Sequence, residues 1–292
     1  MTVESVHLTS ARVIVLGTAQ DGGIPQAGCE CEACRGGRDD PAVARRPSCL
    51  GLVDDGGGRW LIDATPQFGS QLADLNRAAA HPEAGAPDGI FLTHAHVGHY
   101  TGLANLGPEV MSSPGVPLWV MPRMAAFLEA NQPWASLVRE RHVVLHQMTP
   151  GVLVQLGKHL SVRPIQVPHR DEFSETVAFV VQGPSRRVLW LPDIDRWPGD
   201  WADWLSDVDV AWLDGTFYDD RELPGRDLAN IPHPRISDHL EEYGRLTREA
   251  SVEIRLIHLN HSNPVACPGT REAELVAAVG VGVAEEGELF DL

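Results

Sequence analysis

Short apolar runs in this chain end, one after another, in a histidine or an aspartate. Residues 59–62 lead into Asp63, 89–92 into Thr93 and His94, 160–168 into His169, 187–192 into Asp193, 208–213 into Asp214, and 253–257 into His258. Runs of this length bounded by turn residues are the mark of strands buried on both faces. Helical spacing fills the gaps between them, at 68–80, 122–131, 237–250 with Ser237-Asp238 as its cap, and 270–279. Alternating strands and helices predict an α/β protein with sheets covered by helices, and the strand ends gather the chemistry at one edge.

The densest of these ends is Thr93-His94-Ala95-His96-Val97-Gly98-His99. Side chains alternate along extended chain, so His94 and His96 project to the same side. His99 follows where the chain turns toward Tyr100. Neutral imidazoles converging this way suit a borderline transition metal, at about 2 Å per bond. His169 gains weight from this company. Asp193 either caps a turn or bridges two ions, one oxygen to each, whereas Asp195 reads as an exposed turn residue. Asp63 either orients a metal-binding histidine or caps the next helix. A helix over 200–207 turns Trp201, Trp204 and Leu205 inward. His233 sits in a long loop, 215–236, of the kind that carries function.

A second cluster is Cys29-Glu30-Cys31-Glu32-Ala33-Cys34. Three sulfurs this close suit tetrahedral zinc, which wants one more ligand from elsewhere. A redox pair is the alternative, and the third cysteine favours zinc. Cys49 reads as a core thiol, and Cys267 has no evident role. The glycine-rich loop 17–25 follows the first core strand, a place where backbone approaches ligands closely. Gly56-Gly57-Gly58 reads as a hairpin turn joining 49–53 to 59–64.

Composition excludes some partners. The net charge of −17 disfavours nucleic acid and anionic membrane surfaces. A small anionic substrate stays admissible, because a metal ion dominates the field in its own pocket. No apolar run is long enough to span a bilayer. Residues 1–5 lack the features of a secretory signal, and thiols cluster as metal ligands do in a reducing compartment, so a cytoplasmic location is expected.

In order and spacing, His94-x-His96-x-Gly98-His99, His169, Asp193 and His258 resemble the metallo-β-lactamase superfamily. The resemblance covers nearly the whole chain, 1–292, and implies a single domain with a four-layer αββα sandwich and the metal site at one edge between the sheets. Two branches are more similar. The pyrroloquinoline quinone biosynthesis protein B (PqqB) family resembles 22–26, the cysteine cluster, 214–216, 219–223, Gly225-Arg226-Asp227 and 258–264. The phosphonate-pathway cyclic phosphodiesterase PhnP shares the cysteine cluster and an intact histidine motif. The resemblance implies that His94, His96, His169 and Asp193 hold one catalytic metal, and His99, Asp193 and His258 a second. It implies that His261 completes a structural zinc with Cys29, Cys31 and Cys34, and that His233 is an acid or substrate-binding histidine. The superfamily motif carries aspartate where this chain has Gly98, so one tight catalytic ion and one weak or absent ion are expected. The PqqB family has lost several of these ligands, which this chain retains.

The leading expectation is a PqqB-like hydrolase acting on a small molecule through a metal-bound hydroxide, with His233 and Asp193 in catalytic roles. The catalytic ion is zinc, manganese or iron(II). Iron-dependent hydroxylation, as the PqqB resemblance implies, is the alternative, and a non-catalytic binding protein is a third. The resemblance also implies a possible homodimer.

Overall fold

The computed structural model describes residues 11–80, 85–226 and 230–292. Asp227 and residues 1–5, both used above, lie outside the described residues. Two seven-stranded sheets make the framework. The first contains β1 (Arg12–Gly17), β2 (Cys49–Val53), β3 (Arg59–Ile62), β4 (Gly89–Phe91), β5 (Val116–Val120), β6 (Val143–Gln147) and, at its edge beside β1, β14 (Leu289–Asp291). The second contains β7 (Val154–Gln155), β8 (Ser161–Val167), β9 (Thr176–Gln182), β10 (Arg187–Leu191), β11 (Val210–Asp214), β12 (Glu253–Ile257) and β13 (Gly282–Val283), in reverse order across the sheet. β2 and β3 pair antiparallel across the glycine turn, as expected. From β3 to β6, and from β10 to β13, neighbours run parallel.

The period-two alternation of buried strands builds the layers. Val13 and Val15 of β1 join Trp190 and Trp212 of the other sheet in the core between the sheets. Ile14 and Leu16, their neighbours, face outward and meet Phe68, Leu72 and Leu75 of α2 (Phe68–Ala78). On the far side, Leu189, Leu191, Ile254 and Leu256 pack under Tyr243 and Leu246 of α6 (Ile236–Glu249) and Val276 of α7 (Arg271–Ala278). Both sheets are thus covered on both faces, which is why their strands read as unbroken apolar runs. The order helix, sheet, sheet, helix is the expected αββα sandwich.

Several local expectations shift. The second half of the histidine motif, with Gly98 and His99, forms a short helix, α3 (Val97–Tyr100), that tightens to a 3₁₀ helix over Thr101–Leu106. The helix expected over 200–207 is a 3₁₀ helix, Trp201–Leu205, with Trp201 and Leu205 buried and Trp204 partly so. α6 starts at Ile236 with no side-chain cap, one residue before the expected Ser237-Asp238 cap. The cysteine cluster straddles the start of a helix. Cys31 precedes and Cys34 lies within α1 (Glu32–Asp39). Helices α4 (Pro122–Ala130, proline in its first turn) and α5 (Trp134–Arg139) complete the set.

Candidate metal centre

Strand ends deliver the site. Asp63 follows β3, Thr93 and His94 follow β4, His169 follows β8, Asp193 follows β10, Asp214 ends β11 and His258 follows β12. Asp63 and His258 take left-handed backbone, φ 70° and 63°. At these two positions a sharp turn swings the side chain off the strand direction, at a cost carried by the surrounding contacts.

His94 Nε2 lies 2.8 Å from His96 Nδ1 and 3.4 Å from Asp193 Oδ2. His169 Nε2 lies 3.2 Å from His96 Nδ1 and 3.3 Å from Asp193 Oδ1. Four ligands around a tetrahedral ion with bonds near 2.0–2.1 Å stand roughly 3.3 Å apart. The four residues, each offering one ligand atom, therefore fit one ion. Beside them, His99 Nε2 and His258 Nε2 face the same Asp193 Oδ2 at 3.7 and 3.5 Å. Asp21, from the loop after β1, reaches them at 3.2 and 3.7 Å. Asp21 Oδ1, His99 Nε2 and His258 Nε2 are buried atoms with no hydrogen-bond partner among the described residues.

Each inward nitrogen is chosen by what holds the other. Thr93 Oγ1 donates to Asp63 and accepts from His94 Nδ1 at 2.9 Å. Asp63 Oδ2 accepts from His99 Nδ1 at 2.7 Å. Thr216 Oγ1 donates to Asp214 and accepts from His258 Nδ1 at 2.9 Å. Asp195 Oδ1 sits 2.9 Å from His169 Nδ1. In the His94, His99 and His258 rings these hydrogen bonds turn Nδ1–H outward and aim Nε2 at the centre, whereas His169 Nδ1 has only its close ionic contact with Asp195. Outer partners of this sort fix the tautomer of a ligating histidine. Asp195 is thus not an exposed turn residue, and Asp63, left open between orienting and capping, orients.

His233 also reaches the cluster. Its Nδ1 lies 2.8 Å from Asp214 Oδ2 and 3.5 Å from Asp193 Oδ1. Burial opposes its charge, but Asp214 and Asp193 outweigh it and raise its pKa. Burial pushes His96 down to about 4 and holds His94 well below its usual value. Burial would lower His99 too, yet the carboxylates of Asp63 and Asp21 hold it well above the usual range. For Asp193, burial is overcome by His169, His258, His233 and His94, which keep it ionised.

Only a short stretch after His258, His261 meets the cysteines. Its Nδ1 lies 3.5 Å from Cys29 Sγ and 3.4 Å from Cys31 Sγ, and the four ligand atoms including Cys34 Sγ lie within 4.8 Å of one another. Backbone N–H groups of Cys31 and Gln26 donate to Cys29 Sγ and Cys34 Sγ. The first lowers the Cys29 pKa, whereas burial pushes Cys34 up to about 12. Sulfur and imidazole in this proportion are a zinc set. Cys49 is buried on β2, as expected of a core thiol.

Residues 58–258 match the family model of the beta-lactamase superfamily domain, and the chain belongs to that family. Along almost its full length it is similar to coenzyme PQQ synthesis protein B. The Methylorubrum populi protein is 26% identical over 306 residues, which cover 96% of this chain and 99% of that one. The fold is shared with Zn(2+)-bound PqqB from Methylobacterium extorquens, at TM-score 0.82 and 22% identity over 96% of this chain and 100% of that one. It is also shared with a diphosphatase of the PhnP family, at TM-score 0.68 and 20% identity over 97% of each chain.

Proposed function

We propose that this chain is a metal-dependent hydrolase of a small anionic molecule. The observation that carries the reading is the convergence of His94, His96, His169 and Asp193 at the spacing of ligands around one ion. Nitrogen and oxygen donors of this kind hold zinc, manganese or iron(II). The chemistry such an ion supplies is Lewis acidity, acidifying water toward neutral pKa and polarising an ester, amide or phosphodiester centre.

The chain's own residues do the rest. Asp63, Thr93 and Thr216 keep the Nδ1 protons of His94, His99 and His258 turned away from the centre. His233, its Nδ1–H held by Asp214, carries a proton on the opposite ring nitrogen when charged and can pass it to a leaving group. Arg196 is exposed, makes no ion pair among the described residues, and lines clefts of about 520 and 510 Å³ beside His169 and His233. Arg170 and Arg235, which share these clefts, are paired with Glu172 and Asp220, so Arg196 is the cation left to favour a negatively charged substrate.

Elemental analysis of protein purified without added metal, with hydrolysis of bis(p-nitrophenyl) phosphate and p-nitrophenyl acetate, tests this reading. His94→Ala should lose metal and turnover and keep its fold, while Cys31→Ala should lose a separate zinc. Unchanged turnover in His94→Ala refutes it. The similarity to coenzyme PQQ synthesis protein B favours a second reading, iron-dependent oxidation in quinone cofactor synthesis. Iron lost specifically in His94→Ala, with oxygen uptake by iron-loaded protein, would select it.

A further inference from the structure

Gly98 and Asp21 occupy one place. A Cβ built on Gly98 would stand 2.2 Å from Asp21 Oδ1 and 2.6 Å from both its Cα and its Cγ. Any side chain at 98 would expel Asp21. Gly98 lies in α3 and is absent from the glycines with positive φ, so the backbone itself does not require glycine there. What requires it is the approach of the aspartate. The residue missing from the histidine motif and the carboxylate arriving from the β1 loop are alternatives for the same space.

The loop is anchored to the segment that carries His258. Gln20 N donates to Leu259 O at 3.0 Å, Leu259 N donates to Thr18 O at 3.0 Å, and Asn260 Nδ2 donates to Gln20 Oε1 at 2.9 Å. Gly23, at φ 67°, turns the chain back just after Asp21. The result is a carboxylate oxygen, buried and without a hydrogen-bond partner among the described residues, aimed between two equally unpartnered imidazole nitrogens. Asp21 Oδ1, His99 Nε2, His258 Nε2 and Asp193 Oδ2 stand 3.2 to 3.7 Å apart across the four measured edges.

We infer that Asp21 replaces the carboxylate that Gly98 lacks and gives the chain a complete second metal position, sharing Asp193 with the first. The inference rests on the metal reading of the first cluster and opposes the expectation that the second ion is weak or absent. The ligand is relocated from the motif to a loop far upstream in sequence.

The test compares wild type, Asp21→Ala and the isosteric Asp21→Asn. Zinc content is read by elemental analysis and zinc affinity by competition with a chromophoric chelator. Thermal unfolding of the variants reports their folding. Manganese-loaded samples are read by electron paramagnetic resonance, where two ions sharing a carboxylate give a spin-coupled signal. Wild type should hold about two zinc ions besides the cysteine-bound one. Asp21→Ala and Asp21→Asn should each lose one ion, or bind it at least roughly tenfold more weakly, and give the signal of isolated manganese. Wild-type stoichiometry and coupling in both single variants would overturn the inference while leaving the hydrolase reading intact. Wild-type protein with no ion that His94→Ala removes would overturn both.

Discussion

Asp63 offers a way to perturb the proposed metal centre without touching a proposed ligand. It is fully buried. Its Oδ1 accepts from Thr93 N at 2.8 Å, and its Oδ2 accepts from His99 Nδ1 at 2.7 Å. In Asp63→Asn one acceptor becomes a donor. The backbone N–H of Thr93 cannot turn away, so the amide oxygen must stay with it and the NH₂ must face His99. To bind metal through Nε2, His99 must keep its proton on Nδ1, and two donors then oppose each other in a buried site. Each buried donor left unsatisfied costs about 1–3 kcal/mol. At about 1.4 kcal/mol per factor of ten, the affinity of the position containing His99 should fall roughly 5- to 150-fold. Asparagine is the right replacement because it tolerates the left-handed backbone of residue 63, so the metal-free fold should survive. Chelator competition measures the affinity and thermal unfolding of metal-free protein measures the fold. An affinity within twofold of wild type, in a folded variant, would show that Asp63 does not set the His99 tautomer.

Other expectations follow from the same geometry. Cys31→Ser should lose one zinc per chain and unfold at lower temperature, as should wild type treated with a strong chelator. If the melting temperature stays put after that zinc is gone, the cysteine site is not structural. His233→Gln should cut kcat by about 10²- to 10⁴-fold with metal content unchanged, measured on whichever substrate the wild type turns over. Loss of metal instead would make His233 a ligand. Trp190 is fully buried between the sheets, with its ring centroid 5.8 Å from that of Trp212. Trp190→Ala should cost about 3–5 kcal/mol in urea unfolding, and a loss below about 1 kcal/mol would mean the core collapses to fill the hole.

The parts of the site that were legible in sequence are those written locally. His94 and His96 share a side because extended chain alternates, and His169, Asp193 and His258 each follow an apolar run that could only be a buried strand. Asp195 was equally local. Residues i and i+2 of extended chain face the same way, so the assignment of Asp193 to the centre should have carried Asp195 with it. Asp21 was different. Nothing within its glycine-rich loop marks it, and its partners His99 and His258 come from two other parts of the chain. The only signal was indirect, a glycine where the motif wants a carboxylate together with an unexplained acid in a loop beside the site. The edge pairing of β14 with β1 was also illegible, since it depends on where the chain end returns rather than on the pattern of either strand. The boundary of α6 moved because no side chain caps it.

Two fully buried aspartates tie the fold to the centre. Asp63, at the end of β3, accepts from the backbone N–H of Thr93 at the end of β4. Asp214, at the end of β11, accepts from the backbone N–H of Ile194 beyond β10 and of Thr216. In both sheets the backbone ladder between parallel neighbours has run out by this point, so the carboxylate supplies the acceptor that keeps the two strand ends together. The same carboxylate then holds one histidine directly and another through a threonine hydroxyl: His99 and His94 for Asp63, His233 and His258 for Asp214. Burying an unpaired carboxylate would be costly, and here the donors that offset that cost are the strand ends and the metal-facing rings themselves. The contacts that close the open edge of the sandwich and those that aim the imidazoles are therefore one set. A centre built this way is preorganised by folding, and its ligands cannot relax independently of the sheets that present them.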